Sequence, residues 1–179
     1  MLKTILLAIA GVLAVAVVGV LVAASTQPDV FRLQRSASIK APPEKIFALI
    51  NDFRSFGSWS PYEKLDPAMK RSYTGAAGGK GAIYAWESEG KAGIGRMEIT
   101  ESSPPSRIAI NLDFTKPFEA HNIVEFTLEP RGADTIVTWA MRGPTPFLGK
   151  VMHVFVNFDR MVGTDFETGL ANLKGLAEK

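Results

Sequence analysis

The chain has 179 residues, 20 basic and 18 acidic side chains, a formal net charge of +2 and no cysteine. Without cysteine there is no disulfide, no thiolate nucleophile and no Cys-ligated zinc. With acids and bases interspersed, no Lys/Arg run or basic stripe offers a footprint for nucleic acid.

Residues 5–24, "ILLAIAGVLAVAVVGVLVAA", carry no charge. About 20 residues at 1.5 Å each match a hydrocarbon core of roughly 30 Å, so residues 1–25 are expected to form a transmembrane anchor. The alternative is a cleaved signal peptide and a secreted domain, with Lys3 as the positive n-region and "VAAS" as the cleavage point. The apolar run exceeds the usual h-region of about 7–15 residues, which favours the anchor. Lys3 on one side is matched by Arg32 and Arg35 on the other, and the reading adopted is a single pass with the domain exported. Residues 26–30 then serve as a linker, and residues 31–179 form one domain, a length suited to a single core.

The domain opens with a strand, "FRLQRSASI". Pro42 and Pro43 followed by Glu44 in "KAPPEKIFALI" mark a helix start with an acid in its first turn. "NDFRSFGSWSPYEK" spaces Phe53, Phe56, Trp59 and Tyr62 three residues apart, while Gly57, Ser58, Ser60 and Pro61 oppose a regular helix. On a tight 3₁₀-like path, where residues i and i+3 eclipse, the four rings fall on one side. After the loop "TGAAGGKG" a two-residue alternation begins. Strands at 81–88 and 94–101 alternate less cleanly than "RIAINLDF", in which Ile108, Ile110, Leu112 and Phe114 oppose Arg107, Asn111 and Asp113. In "FEAHNIVEFTLE", Phe118, Ala120, Val124, Phe126 and Leu128 oppose Glu119, His121, Glu125, Thr127 and Glu129. In "TIVTWAM", Val137, Trp139 and Met141 share a side. Short connections make these strands antiparallel neighbours in one meander. From Phe147 to Leu176 apolar residues recur at helical spacing, predicting one long amphipathic helix over the sheet's apolar face and an α+β domain.

The segments "IKAPPEKIFALINDFRSFGSWSPY", "GKGAIYAWESEGKAGIGRMEITESSPPSRI" and "VGTDFETGLANLK", in this order, resemble the polyketide cyclase/dehydrase branch of the START-like (SRPBCC) superfamily, over Val30–Lys179. The resemblance implies a helix-grip fold, in which a curved antiparallel sheet wraps a long C-terminal helix around an apolar cavity. It also implies that Phe53, Phe56, Trp59 and Tyr62 seal or line the cavity mouth. Trp86, Met97, Phe114, Phe126 and Trp139 are expected as further lining. For any single ring, ordinary core is the competing role.

Only two histidines exist, His121 and His153, and they lack ligand spacing such as HExxH, so neither metal nor cofactor is expected. No nucleophile elbow, P-loop or dinucleotide fingerprint is present. The row His121, Glu119 and Glu125 reads as a solvated sheet face. Stepping 100° per residue from Phe158, the apolar arc of the terminal helix takes Phe147, Val151, Val154, Val162, Gly169 and Leu176, with Asp165 near its centre and Asn172 beside it. A carboxylate aimed at a core must be paired, hydrogen-bonded or neutral. Asp165 is thus a candidate polar anchor or general acid/base, or else a structural link to a strand or to Arg96. Gly163, Gly169 and Gly175 leave room for a ligand or a close backbone contact, or mark a kink.

Three functions follow. The first is a membrane-anchored protein that binds a hydrophobic small molecule or lipid. The second is a cyclase/dehydratase in which Asp165 or a tyrosine moves protons. The third is a membrane-tethered interaction module, which predicts an exposed apolar patch around the aromatic quartet.

Overall fold

In the computed structural model, which describes residues 2–179, the apolar run forms one helix, α1 (Leu2–Ser25). Its most apolar stretch has a mean hydropathy of 3.1 and is not buried. At 24 residues it reaches about 36 Å, enough to cross a bilayer with some tilt. The chain divides into two compact units. One joins α1 and the residues up to Phe31 with Pro144–Phe158, and the other joins Arg32–Gly143 with Asp159–Lys179.

The larger unit holds a seven-stranded sheet. Strand β1 (Val30–Ile39) is followed by α2 (Pro43–Asn51), two short 3₁₀ turns at Phe53–Ser55 and Pro61–Lys64, and α3 (Phe56–Trp59) between them. Then come β2 (Lys70–Gly75), β3 (Ala82–Glu87), β4 (Ile94–Ser103), β5 (Arg107–Lys116), β6 (Ala120–Arg131) and β7 (Asp134–Pro144). Each strand from β2 to β7 pairs antiparallel with the next, and β1 returns to close on β7. Because side chains alternate across a strand, one face collects Ile108, Ile110, Val124, Phe126, Leu128, Val137 and Trp139, all buried. The terminal helix α5 (Phe158–Ala177) buries Phe166, Leu170, Leu173 and Ala177, and Phe166 stacks on Trp139 at 4.0 Å between ring centres. The unit is helix-grip-like, as expected.

Three local expectations are corrected, and one irregularity is explained. The single helix from Phe147 to Leu176 is two, because Val156 takes an extended conformation (φ −124°, ψ 127°) and ends α4 (Phe147–Phe155). Asn157, a favoured residue before a helix start, precedes α5. Strand β2 is an addition. Only Tyr73 in it is partly buried, so no alternation betrays it, and its register comes from pairing Tyr73 with Tyr84, whose rings stack at 5.1 Å. Phe118 lies outside β6 and is exposed. The uneven alternation of 94–101 has a physical cause: Ile99 pairs with Ile110 and Glu101 with Ala109, leaving Thr100 as the extra residue of a bulge.

Candidate ligand site on the inner face of the sheet

Ile46, Phe47 and Ile50 of α2 are buried, and this fixes the turn that follows. The Asp52 carboxylate accepts a hydrogen bond from the Arg54 N–H, starting the tight path that points the next rings inward. Phe53 meets Phe56 at 5.0 Å, Phe56 meets Trp59 at 4.7 Å, and Trp59 meets Trp139 at 5.6 Å, all edge to face. Such pairs are worth about 0.5–1.5 kcal/mol each beyond their buried area. Phe53, Phe56 and Trp59 are buried and Tyr62 is half-buried, so the quartet forms no exposed patch. Phe126 and Phe166 complete the cluster around Trp139.

A second run of rings continues along the same face. Phe53 approaches Tyr84, Tyr84 stacks with Trp86 at 5.6 Å, and Trp86 meets Phe114 edge-on at 5.5 Å. Gly95 is required here, since a Cβ at that position would run into the Trp86 ring and the Asp113 carbonyl. Met97 is paired opposite Leu112, and Met97, Leu112 and Phe114 remain only half-buried. The structure therefore joins Phe53, Phe56, Trp59, Tyr62, Trp86, Phe114, Phe126 and Trp139 through ring contacts. Phe158 does not join them; its ring packs on Phe31 and His153.

Asp165 is not at the centre of the α5 arc. With the helix starting at Phe158, the buried arc runs through Phe166, Leu170, Leu173 and Ala177, and Asp165, Val162 and Asn172 flank it half-buried. Arg96 is not its partner, because Arg96 bonds to Glu98. The Asp165 carboxylate instead lies beside the Tyr62 hydroxyl, and the two interact electrostatically. Burial raises the Asp165 pKa above the ordinary carboxylate value, and the nearby Tyr62 hydroxyl opposes that rise. The Tyr62 phenol is pushed up by burial first and by the neighbouring carboxylate second, so it is a standing donor. Asn172 donates to the Trp59 carbonyl at 3.0 Å.

A neighbouring pair escapes sequence reasoning. Tyr84 donates to Glu63 at 2.5 Å and the Arg71 guanidinium bonds the same carboxylate at 2.7 Å. Two adjacent residues thus each bring a tyrosine and a carboxylate together, Glu63 in its bond from Tyr84 and Tyr62 beside Asp165. The adjacency was visible in "SPYEK", but Tyr84 and Arg71 arrive through the β2–β3 pairing, which no local pattern announces.

Two of the three glycines of α5 face protein rather than empty space. A Cβ at Gly169 would stand 2.6 Å from Trp139 Cζ3 and 3.2 Å from Pro61. At Gly163 it would overlap the Arg35 guanidinium, which bonds Asp159 and Glu167 at 2.9 and 2.8 Å. Around Gly175 the space is open.

The three tryptophans differ in one respect. Trp59 and Trp86 donate their indole N–H to the Leu49 and Ala92 carbonyls, at 3.1 and 3.0 Å. Trp139, only 5% exposed, has no acceptor for its Nε1–H among the described residues. A buried donor left unpaired costs about 1–3 kcal/mol. Elsewhere in the unit a groove of about 520 Å³ is lined by Arg32, Gln34, Arg35, Glu125, Arg142 and Asp159 beside Leu33, Ile123, Ala140 and Met141. Three arginines and two acids make it a poor fit for an apolar molecule. His121 stands on the outer face, 66% exposed, bonded to Asp113 at 2.8 Å.

The family model described as polyketide cyclase/dehydrase and lipid transport matches residues 30–178. No curated protein matches the chain. Among solved structures, the ginseng major latex-like protein 151 from Panax ginseng is 13% identical with a TM-score of 0.61, over 85% of this chain and 100% of that one. Protein CV1439 from Chromobacterium violaceum is 18% identical with a TM-score of 0.58, over 86% and 99%. The Aha1 protein from Colwellia psychrerythraea, solved as a dimer, is 18% identical with a TM-score of 0.58, over 83% and 96%. At these identities the likeness is one of fold.

Proposed function

Since the chain belongs to the polyketide cyclase/dehydrase and lipid transport family, we propose that residues 31–179 bind a hydrophobic small molecule or lipid on the aromatic inner face of the sheet, and that residues 1–25 anchor them to a membrane. The observation that carries the reading is the unpaired Trp139 Nε1–H among stacked rings. Ligand sites are mostly apolar walls with a few placed polar groups, and an acceptor on the ligand would satisfy this donor. Tyr62 and Asp165 supply a second polar contact beside it, and the half-buried Met97, Leu112 and Phe114 supply apolar wall. Anchoring would hold this aromatic face next to lipidic ligands and raise their effective concentration. The exported orientation is part of the proposal and rests on the few charges flanking α1.

Native mass spectrometry of the gently solubilised full chain tests it. A discrete added mass, removed by substituting Trp139→Phe, is the expected result. A bare protein that gains no thermal stability from a panel of lipids, quinones and aromatic polyketides would overturn it. The intact mass also separates the anchor from a cleaved signal peptide.

A second reading, proton transfer by Asp165 in a cyclase/dehydratase, has one observation in its favour: a half-buried carboxyl with a raised pKa beside the Tyr62 hydroxyl. Asp165→Asn separates the two, since turnover would collapse while binding by a carrier would change only modestly.

A further inference from the structure

We propose that α4 is an interfacial helix that lays its outer stripe into the lipid bilayer where α1 emerges; this rests on the anchor reading of α1. The helix is inside-out for a water-soluble protein. At 100° per residue Leu148, Met152 and Phe155 form one stripe, at i, i+4 and i+7. All three face outward, at 60%, 49% and 70% exposure. Its basic residues face the protein instead. Lys150 is mostly buried and bonds Asp29 at 2.6 Å, and the His153 imidazole stacks on Phe158 at 5.2 Å.

The position of α4 identifies what covers that stripe. Helix α4 packs on α1, and among the described residues of α1 those that lose exposure are Val20, Ala23 and Ala24, all in its last two turns. Val20 to Ala24 spans about 6 Å of helix rise. If α1 crosses the bilayer, a helix packed along those turns lies at that depth, which is the roughly 5–10 Å reached by helices resting in the headgroup and acyl boundary. Two bonds keep it there: the Thr145 N–H donates to the Asp29 carbonyl at 2.7 Å, and Lys150 grips the Asp29 carboxylate. The chain leaving α1 is thereby clamped to both ends of the first turn of α4. Aromatic and aliphatic side chains facing out at that level match lipid, not water.

The absence of cysteine makes the test direct. The full chain is reconstituted into phosphatidylcholine vesicles with a single environment-sensitive fluorophore at Leu148→Cys, Met152→Cys or Phe155→Cys. Val12→Cys in α1 and Ala133→Cys in the β6–β7 turn are the references. The expected result is blue-shifted emission at all three α4 sites, quenched by doxyl-labelled lipid and not by aqueous iodide, as at Val12 and unlike Ala133. Iodide quenching at the three sites with lipid quenching retained at Val12 would overturn the proposal and leave the anchor standing. Iodide quenching at Val12 as well would remove the anchor and this inference with it. Protection from both quenchers would mean that protein, such as a second copy, covers the stripe, and would also overturn it.

Discussion

Substituting Gly169→Ala pits two known effects against each other. A mid-helix glycine costs about 1 kcal/mol relative to alanine, so propensity alone predicts stabilisation. The new Cβ would lie 2.6 Å from Trp139 Cζ3, and that ring cannot retreat. Phe166 stacks on it at 4.0 Å with planes 10° apart, Phe126 lies at 5.1 Å and Trp59 at 5.6 Å. Pro61, 3.2 Å from the same Cβ, blocks a sideways shift. Overpacking a rigid core costs about 1–3 kcal/mol, which leaves a net loss of about 1 kcal/mol, or roughly 2–4 °C in Tm for a chain of this size. Gly175→Ala is the matched control, with no atom within 4 Å, and gains up to about 1 kcal/mol, less where the helix end frays. Thermal and urea unfolding of the detergent-solubilised full chain, followed by tryptophan fluorescence, reads both. A Gly169→Ala protein as stable as the parent would refute the claim that Trp139 fills this notch, and would reopen it as ligand space.

Other outcomes follow from the same geometry. Trp59→Ala removes a fully buried ring and its bond to the Leu49 carbonyl, and a loss of about 3–5 kcal/mol in urea unfolding is expected. Tyr62→Phe deletes the hydroxyl that opposes the effect of burial on Asp165; the carboxyl should titrate higher still by NMR, and an unmoved midpoint would exclude that interaction. The sign follows from linkage: the native state holds the Asp165 proton more tightly than the unfolded chain, so this group's contribution to stability falls as pH rises from the ordinary carboxylate pKa to the raised one. His121 titrates above the ordinary imidazole value, chiefly through its bond to Asp113. Its stabilisation is fully present below the unfolded pKa and is lost as pH rises through the folded one, and Asp113→Asn should bring the NMR midpoint back down.

The inner face of β5, β6 and β7 was readable because period-two alternation is a local property, and the same holds for the helix start at Pro42 and Pro43 and for the aromatic triplet spacing. Three things were not. Strand β2 exists because β3 offers it a partner and Tyr84 a ring to stack on, so its own residues carry no signal. Asp165 falls on the predicted arc because a continuous helix counts Phe147, Val151 and Val154 on the same face, and the extended Val156 places those three on α4 instead. The glycines of α5 could be placed on a helix, yet what fills the space beside Gly163 and Gly169 comes from Arg35 on β1 and Trp139 on β7, more than 100 and 20 residues away in sequence.

Sequence by itself determined the apolar span, the first helix and the inward set of the clean strands, since hydrophobic periodicity records which side of each element meets water. Tertiary structure alone decided which inward groups find partners. The Leu49 and Ala92 carbonyls reach Trp59 and Trp86 while Trp139 is left with none, and α4 turns its lysine in and its phenylalanine out because Asp29, clamped after α1, holds the lysine. Hydrogen bonds and ion pairs act over about 3 Å between atoms brought together by the fold, and no spacing along the chain encodes that distance.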